Sequence, residues 1–378
     1  MNPARYAEKY RRHLFESVIP FWMRHSVDRE YGGFFTCLER DGTVYDTRKY
    51  VWLNGRQVWT LSKLYNEVEQ NQEWLSAARA GAEFLKEHVF DWAGRSWFSL
   101  TREGKPAAYQ RKPYGAAFVT MGFLEYAKAS GDTAYAETAR ALFKRMRQWI
   151  ADPGLLGRPS LAALPPTSLL ADVYVVLALG LEMGDDSVVA EMLSAIDVHY
   201  EPQRRLFFEN AVLDPARRTE YPEGRLICPG SIFEISWLLL KGLERCPDDA
   251  KKKMVLNALE GGLEFGWDKE YGGFYYFLDI EGRPMLQLES PMKLWWVHAE
   301  AICALAHAYT ASREQRWLRW LEVVDEWTFD HFPDAEYGEW FGYLDRQGTP
   351  THTLKGNNYK GCFHVPRAML LSAQAMEG

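Results

Sequence analysis

Asp28–Gly42 reads DREYGGFFTCLERDG, and the pattern returns at Asp268–Gly282 as DKEYGGFYYFLDIEG and at Asp334–Gly348 as DAEYGEWFGYLDRQG. Weaker copies lie at Trp92–Gly104 (WAGRSWFSLTREG) and Glu201–Asp214 (EPQRRLFFENAVLD), with a vestigial one at Asp152–Ser160 (DPGLLGRPS). Each joins a turn signal, a short alternating aromatic run and a second D/E-x-G turn, which is how a β-hairpin reads. The matching aromatic positions Phe34, Trp97, Phe207, Phe274 and Trp340 are spaced by 63, 110, 67 and 66 residues. The long interval holds two periods with the vestigial copy between them, so the chain has six units.

Between the hairpins the apolar period becomes helical. Helices are expected near Pro3–His25, Tyr50–Glu69, Glu73–His88, Pro113–Ser130, Thr133–Ile150, Pro165–Met183 and Ser187–Val198. Five more fall near Pro229–Arg245, Asp248–Phe265, Pro291–Ala311, Arg313–His331 and Cys362–Met376. Pro113, Pro165, Pro229 and Pro291 then sit in the first turns of even-numbered helices, where a missing N–H costs nothing. Twelve alternating helices close most simply into a double ring. The even-numbered helices mix aromatic and polar residues, such as Trp52, Arg56 and Trp59, and are placed inside; the odd-numbered ones are ordinary amphipathic helices. The expected fold is all-α, a single (α/α)6 barrel over residues 1–378 with short β-hairpins at one end.

Composition narrows the function classes. Of 378 residues, 44 are Lys or Arg and 51 Asp or Glu, a net charge of −7 that argues against a nucleic-acid or anionic-membrane partner. No apolar run approaches the ~18 residues of a membrane span, and the N-terminus lacks a signal-peptide core. Five scattered cysteines without a C-x-x-C pair fit reduced thiols in a cytoplasmic protein and argue against a zinc site. No Gly-rich nucleotide motif is present. The 15 tryptophans suit flat-faced ligands such as sugar rings, although most buried aromatics are core.

With every hairpin at one end, polar residues early in the inner helices converge on one cavity. That rule selects Arg56, Tyr114, Ser231, Glu234, His298, Glu300 and His364. Inner-helix N-termini add partial positive charge there, favouring an intermediate that becomes anionic. Arg56 lies among apolar residues and calls for a partner, for which Glu234 and Glu300 are candidates. Trp295 and Trp296 are adjacent, so one of them is expected to be core. His298, two residues before Glu300, points elsewhere on its helix. His364, between a glycine and a proline, sits on an irregular segment suited to a functional histidine.

Trp52–Trp59 (WLNGRQVW), Met292–Glu300 (MKLWWVHAE), Glu336–Leu344 (EYGEWFGYL) and Lys360–Arg367 (KGCFHVPR) resemble signature segments of the N-acylglucosamine 2-epimerase family. This family is also known through the mammalian renin-binding protein, and its superfamily includes cellobiose 2-epimerases and mannose isomerases. The likeness runs from about Phe21 to Arg367. It implies an (α/α)6 barrel and a sugar 2-epimerase interconverting N-acylglucosamine and N-acylmannosamine. Arg56 would bind the substrate oxygen and the enediolate, Glu234 and Glu300 would orient the sugar and support the acid and base, and His364 would be one of two catalytic histidines. Trp237 and Trp296 would shape a substrate pocket, to which the placement rule adds Tyr114, Ser231 and His298 as substrate-binding candidates. No cofactor or metal is required; ATP is an allosteric effector in some relatives, and a homodimer is the expected assembly. The second family histidine belongs in Pro229–Trp237, PGSIFEISW, where this chain has Ser231.

Epimerisation removes the C2 proton of the open-chain aldehyde and returns one to the opposite face through an enediolate. A serine hydroxyl is a poor base near neutral pH. Three other readings therefore stay open: an aldose–ketose isomerase working on one face, a non-catalytic sugar binder, and an inverting glycoside hydrolase using Glu234 and Glu300. The last would be marked by carboxyl groups ~6.5–9.5 Å apart.

Overall fold

The helical periods become twelve principal helices in the computed structural model, which describes residues 2–159 and 165–377. Helix α1 runs through Pro3–His13, a π-helical Leu14–Val18 and Ile19–His25. It is followed by α2 (Val51–Glu67), α3 (Gln72–His88), α4 (Tyr114–Ser130), α5 (Thr133–Ala151), α6 (Leu170–Met183) and α7 (Asp186–Ala195). The remainder are α8 (Pro229–Arg245), α9 (Asp249–Gly266), α10 (Trp295–Ser312), α11 (Gln315–His331) and α12 (His364–Glu377). The even-numbered helices pack side by side in sequence order, and each carries an odd-numbered helix on its outer side. The ring closes where Thr60 of α2 donates to the Cys362 carbonyl at 2.9 Å and Trp59 meets Phe363 edge-on, with ring centroids 5.4 Å apart. This is an (α/α)6 barrel. None of the described helices is long and apolar enough to cross a membrane.

Inner and outer helices begin differently. Asn71, Asp132, Asp185 and Asp248 cap the outer helices α3, α5, α7 and α9 by accepting from first-turn N–H groups. Helices α2, α4, α6, α8 and α10 have no side-chain cap. Their first N–H groups, and the positive ends of their dipoles, are left at the hairpin end of the barrel. Helices α2 and α4 also touch backbone to backbone. A Cβ on Gly55 would come within 2.4 Å of the Phe118 carbonyl oxygen, so only glycine lets Arg56 lie beside Phe118.

The hairpins are tied into a belt by one charged device used three times. Asp28, Asp268 and Asp334, from the D-x-E-Y-G turns, pair with Lys49, Lys293 and Lys355, whose side chains are fully buried. Each aspartate also binds an arginine from the next hairpin round the ring: Arg102, Arg346 and Arg40 respectively. The pair Arg40–Asp334 joins the first hairpin to the last, and so closes the belt as the helices close the barrel.

Three details depart from the sequence reading. The repeat position in the second hairpin is Ser96, bridged to Phe90, and not Trp97, because that turn is one residue shorter than the Val27–Phe34 and Trp267–Phe274 turns. Pro165 and Pro291 lie ahead of α6 and α10, since Thr167–Leu169 and Lys293–Leu294 are strands. The vestigial copy forms a 3-10 turn at Pro153–Leu156, not a hairpin; its last residue, Ser160, lies outside the described residues.

Candidate active site

At the hairpin end the barrel holds a cavity of about 400 Å³, within the range of small-ligand sites. Arg56, Glu234 and His364 line it, with an aromatic wall of Trp52, Tyr174, Tyr276, Trp296, Tyr343 and Tyr359. Of the two adjacent tryptophans Trp295 is core, as expected: it is 3% exposed, belongs to the main apolar cluster and reaches the cavity only in part, packing on Tyr343 with centroids 5.1 Å apart, whereas Trp296 is half-buried at the cavity.

His364 and Glu300 form the centre. His364 Nδ1 lies 2.7 Å from Glu300 Oε1. The Glu300 carboxylate can only accept, so the proton is assigned to Nδ1, leaving Nε2 with a lone pair; Arg367 Nη2, 3.4 Å from Nδ1, spends its donors on Glu234 and Glu300 instead. Burial, then the charge of Arg56, holds the imidazole pKa well below its usual value, with Arg367 adding to the effect and Glu234 opposing it. At neutral pH this is an unprotonated base with a fixed orientation.

Glu300 is held from three sides: by His364, by Trp237 Nε1 at 2.7 Å, and by Arg367 Nη2 at 2.6 Å. The same Arg367 nitrogen donates to Glu234 Oε1 at 2.5 Å. Glu234, Glu300 and His364 offer ligand atoms within 4.8 Å of one another, a spacing that would suit a cation. The cation the fold places beside them is the Arg367 guanidinium. This spacing is also closer than the ~6.5–9.5 Å of an inverting hydrolase.

Arg56 is buried with no carboxylate paired to it among the described residues. The partner the sequence called for, Glu234 or Glu300, is taken by Arg367. Its guanidinium carbon sits 3.9 Å from the Phe118 ring centroid, 4.5 Å from Trp52 and 4.7 Å from Phe363, and Nε has no hydrogen-bond partner. Aromatic faces partly compensate the lost hydration. Burial lowers its pKa to about 10, so it stays cationic. A desolvated, unpaired cation facing a cavity is suited to charge that appears during a reaction.

Of the residues expected to bind substrate, His298, Trp237 and Tyr114 do other work, and Ser231 stands just behind the cavity lining. His298 is fully buried on the far side of α10. It donates from Nδ1 to the Leu294 carbonyl and accepts at Nε2 from the Phe274 N–H at 3.0 Å, stacked on Trp327. Asn54 does the same for Phe34 in the first unit, so His298 serves the repeat. Trp237 lies beneath the cavity and positions Glu300. Tyr114 turns to Asp172 of α6, 3.1 Å away, and does not line the cavity. Ser231 is buried behind the wall, against the carboxyl group of Glu209.

Sequence reasoning missed Arg367 and Glu209. Arg367 is one helical turn after His364, so i,i+3 spacing on α12 could have found it. Glu209 follows the aromatic run Leu206–Phe208. Its Oε2 is buried without a hydrogen-bond partner among the described residues, and burial raises its pKa to about 7, with Ser231 opposing and the Glu234 charge adding.

A sequence profile of the N-acylglucosamine 2-epimerase family matches residues 33–157 and 199–366, which include Arg56, Ser231, Glu234, Glu300 and His364. The chain belongs to that family. Among its relatives, the N-acylglucosamine 2-epimerase of Mus musculus is 39% identical over 96% of this chain and 90% of its own length. The cellobiose 2-epimerase of Spirochaeta thermophila superposes with a TM-score of 0.82 at 21% identity, covering 99% of this chain and 97% of its own. A D-mannose isomerase gives the same TM-score at 17% identity, with 97% of each chain covered. These two structures show that the barrel is shared. The family is one of carbohydrate epimerases.

Proposed function

We propose that this protein is a sugar 2-epimerase that interconverts N-acylglucosamine and N-acylmannosamine by proton transfer at C2 of the open-chain sugar. One observation carries the reading: a neutral imidazole with its Nε2 lone pair open, and an unpaired buried guanidinium, face the same cavity of monosaccharide size. His364 takes the C2 proton, and Arg56 stabilises the oxyanion of the enediolate. Glu300 fixes the imidazole tautomer and balances the imidazolium that forms, while Arg367 and Trp237 position Glu300. Glu234 faces the sugar, and Trp296 offers it an aromatic surface. The enzyme acts on a free sugar in the cytoplasm, as a homodimer.

Ser231 favours a second reading, aldose–ketose isomerisation, because moving a proton from C2 to C1 needs a base on one face only. Incubating N-acetylglucosamine, N-acetylmannosamine, mannose, glucose and cellobiose in D2O and following C2 by NMR separates the two. Deuterium at C2 with inversion of the N-acetylated sugars is expected. A ketose would instead support the isomerase, and no exchange in any of the five would overturn both readings.

A further inference from the structure

Directly behind the cavity lining opposite His364, next to the lining residues Tyr174, Glu234 and Tyr276, lies an acid that the mechanism above leaves unused. In a ring of six inner helices α6 faces α12, and Glu209 is fixed at the head of α6. Its carbonyl oxygen accepts from the N–H of Leu170, the first residue of α6, at 2.9 Å, and its own N–H donates to the Leu226 carbonyl at 3.3 Å, just ahead of α8. Ser231, in the first turn of α8, stands against the carboxyl group. This is the position at which the resembling family carries histidine. Carboxylate Oε2 is buried with no hydrogen-bond partner among the described residues, a costly arrangement for a polar group.

We propose that Glu209 and Ser231 form the second proton-transfer unit, Glu209 exchanging its proton with C2 through the Ser231 hydroxyl on the face opposite His364. The proposal rests on the epimerase reading above. In one direction His364 Nε2 takes the C2 proton, the C2–H electron pair becomes the C1=C2 bond, and the C1=O1 pair moves onto O1 beside Arg56. The electrons then return: O1 regains its carbonyl, and the C1=C2 pair takes the proton of the Ser231 hydroxyl as that oxygen takes the proton of Glu209. Imidazolium and carboxylate remain, and solvent resets both between turnovers. The opposite epimer retraces the same path.

The surroundings of Glu209 suit a group that both gives and takes a proton. Facing it are Ser231 and Cys228 at the start of α8, Glu234 one turn further, Tyr114 and Tyr174 on α4 and α6, and Tyr276 from the fifth hairpin. No cation among the described residues is paired with it. Burial and the Glu234 charge outweigh Ser231 and place its titration at about 7, so both forms are accessible near neutral pH. Ser231 alone is a poor acid, but joined to Glu209 it supplies what the missing imidazole would have supplied.

The test follows C2–H exchange in D2O separately in N-acetylglucosamine and N-acetylmannosamine, for wild type, Glu209→Gln, Ser231→Ala and His364→Asn. Glu209→Gln and Ser231→Ala should each slow inversion by ~10²-fold or more. Exchange with retention should persist at near wild-type rate in the one epimer whose C2–H faces His364. His364→Asn should show the reverse, with residual exchange confined to the other epimer. A purely structural role for Glu209 would not separate the epimers. Inversion at the wild-type rate in Glu209→Gln, or equal loss of exchange in both epimers, overturns the proposal. Should Glu209→Gln fail to fold, Ser231→Ala carries the same epimer-resolved signature. If wild type exchanges neither sugar, the epimerase reading itself is wrong and the proposal falls with it.

Discussion

On the α10–α12 wall of the cavity, Glu300 accepts from His364, Trp237 and Arg367 at once, whereas on the α6–α8 wall Glu209 keeps a buried oxygen with no partner. The first wall is built to hold one protonation state, since burial and the charges of Arg56 and Arg367 keep the imidazole neutral while Glu300 fixes its orientation. The second is built to change state, because no fixed charge commits its carboxyl group either way. Proton transfer across a flat enediolate needs both kinds of group, one that is reliably empty and one that is readily filled.

The largest effect should come from the fixed wall. His364→Asn should keep the fold and much of the sugar affinity while inversion at C2 falls by ~10²–10⁴-fold, read by NMR alongside a thermal melt. Near-normal inversion would move the base elsewhere, with Glu300 the next suspect.

Stability should separate the walls as sharply. Arg367→Met leaves Glu234 and Glu300 buried without their shared cation, and urea unfolding should show a loss of about 3–5 kcal/mol. Glu209→Gln removes a carboxylate that has no counter-ion, so its stability should stay within about 1 kcal/mol of wild type or rise. Equal losses in the two variants would erase the distinction between the walls.

A smaller effect lies in the pH profile. The reactive enzyme carries one proton shared between His364 and Glu209, in either of two arrangements. Burial and two arginines depress the His364 pKa, and burial lifts that of Glu209 to about 7. Above about 7 the pair loses its one proton, so kcat/KM should fall as pH rises, equally in both directions because the equilibrium between sugars does not depend on pH. On the acid side it should hold below the usual imidazole range. An alkaline limb unchanged in Glu209→Gln would assign it to another group.

The mildest test is a rescue. Ser231→His should reduce the inversion deficit caused by Glu209→Gln to under about tenfold, since an imidazole at that position carries its own proton. If the histidine instead crowds the sugar, affinity will fall and the deficit will remain.

The same two walls differ in how much of them the sequence discloses. Asp28, Asp268 and Asp334 recur in near-identical strings, so the hairpins, the count of six and the closed barrel could be read from periodicity. Arg56, Glu234, Glu300 and His364 could be read because they sit early in inner helices and in long family strings. His298 obeyed the same placement rule, but its offset of two from Glu300 turned it away from the cavity as that offset indicated, and the fold uses it to hold the buried Phe274 N–H, as Asn54 does for Phe34. The α6–α8 wall gave little warning. Its repeat copies are the weakest, one of them is no hairpin at all, and Glu209 gains its character only from burial and from Ser231, which is distant in sequence.

The most direct measurement is a crystal structure of the wild-type protein with N-acetylglucosaminitol, an open-chain sugar alcohol. C2 should lie between the walls, about 3–3.5 Å from both His364 Nε2 and Ser231 Oγ, with O1 on the Arg56 guanidinium. A sugar whose C2 approaches His364 alone, with Ser231 and Glu209 closed off behind Tyr174 and Tyr276, would contradict a two-sided site.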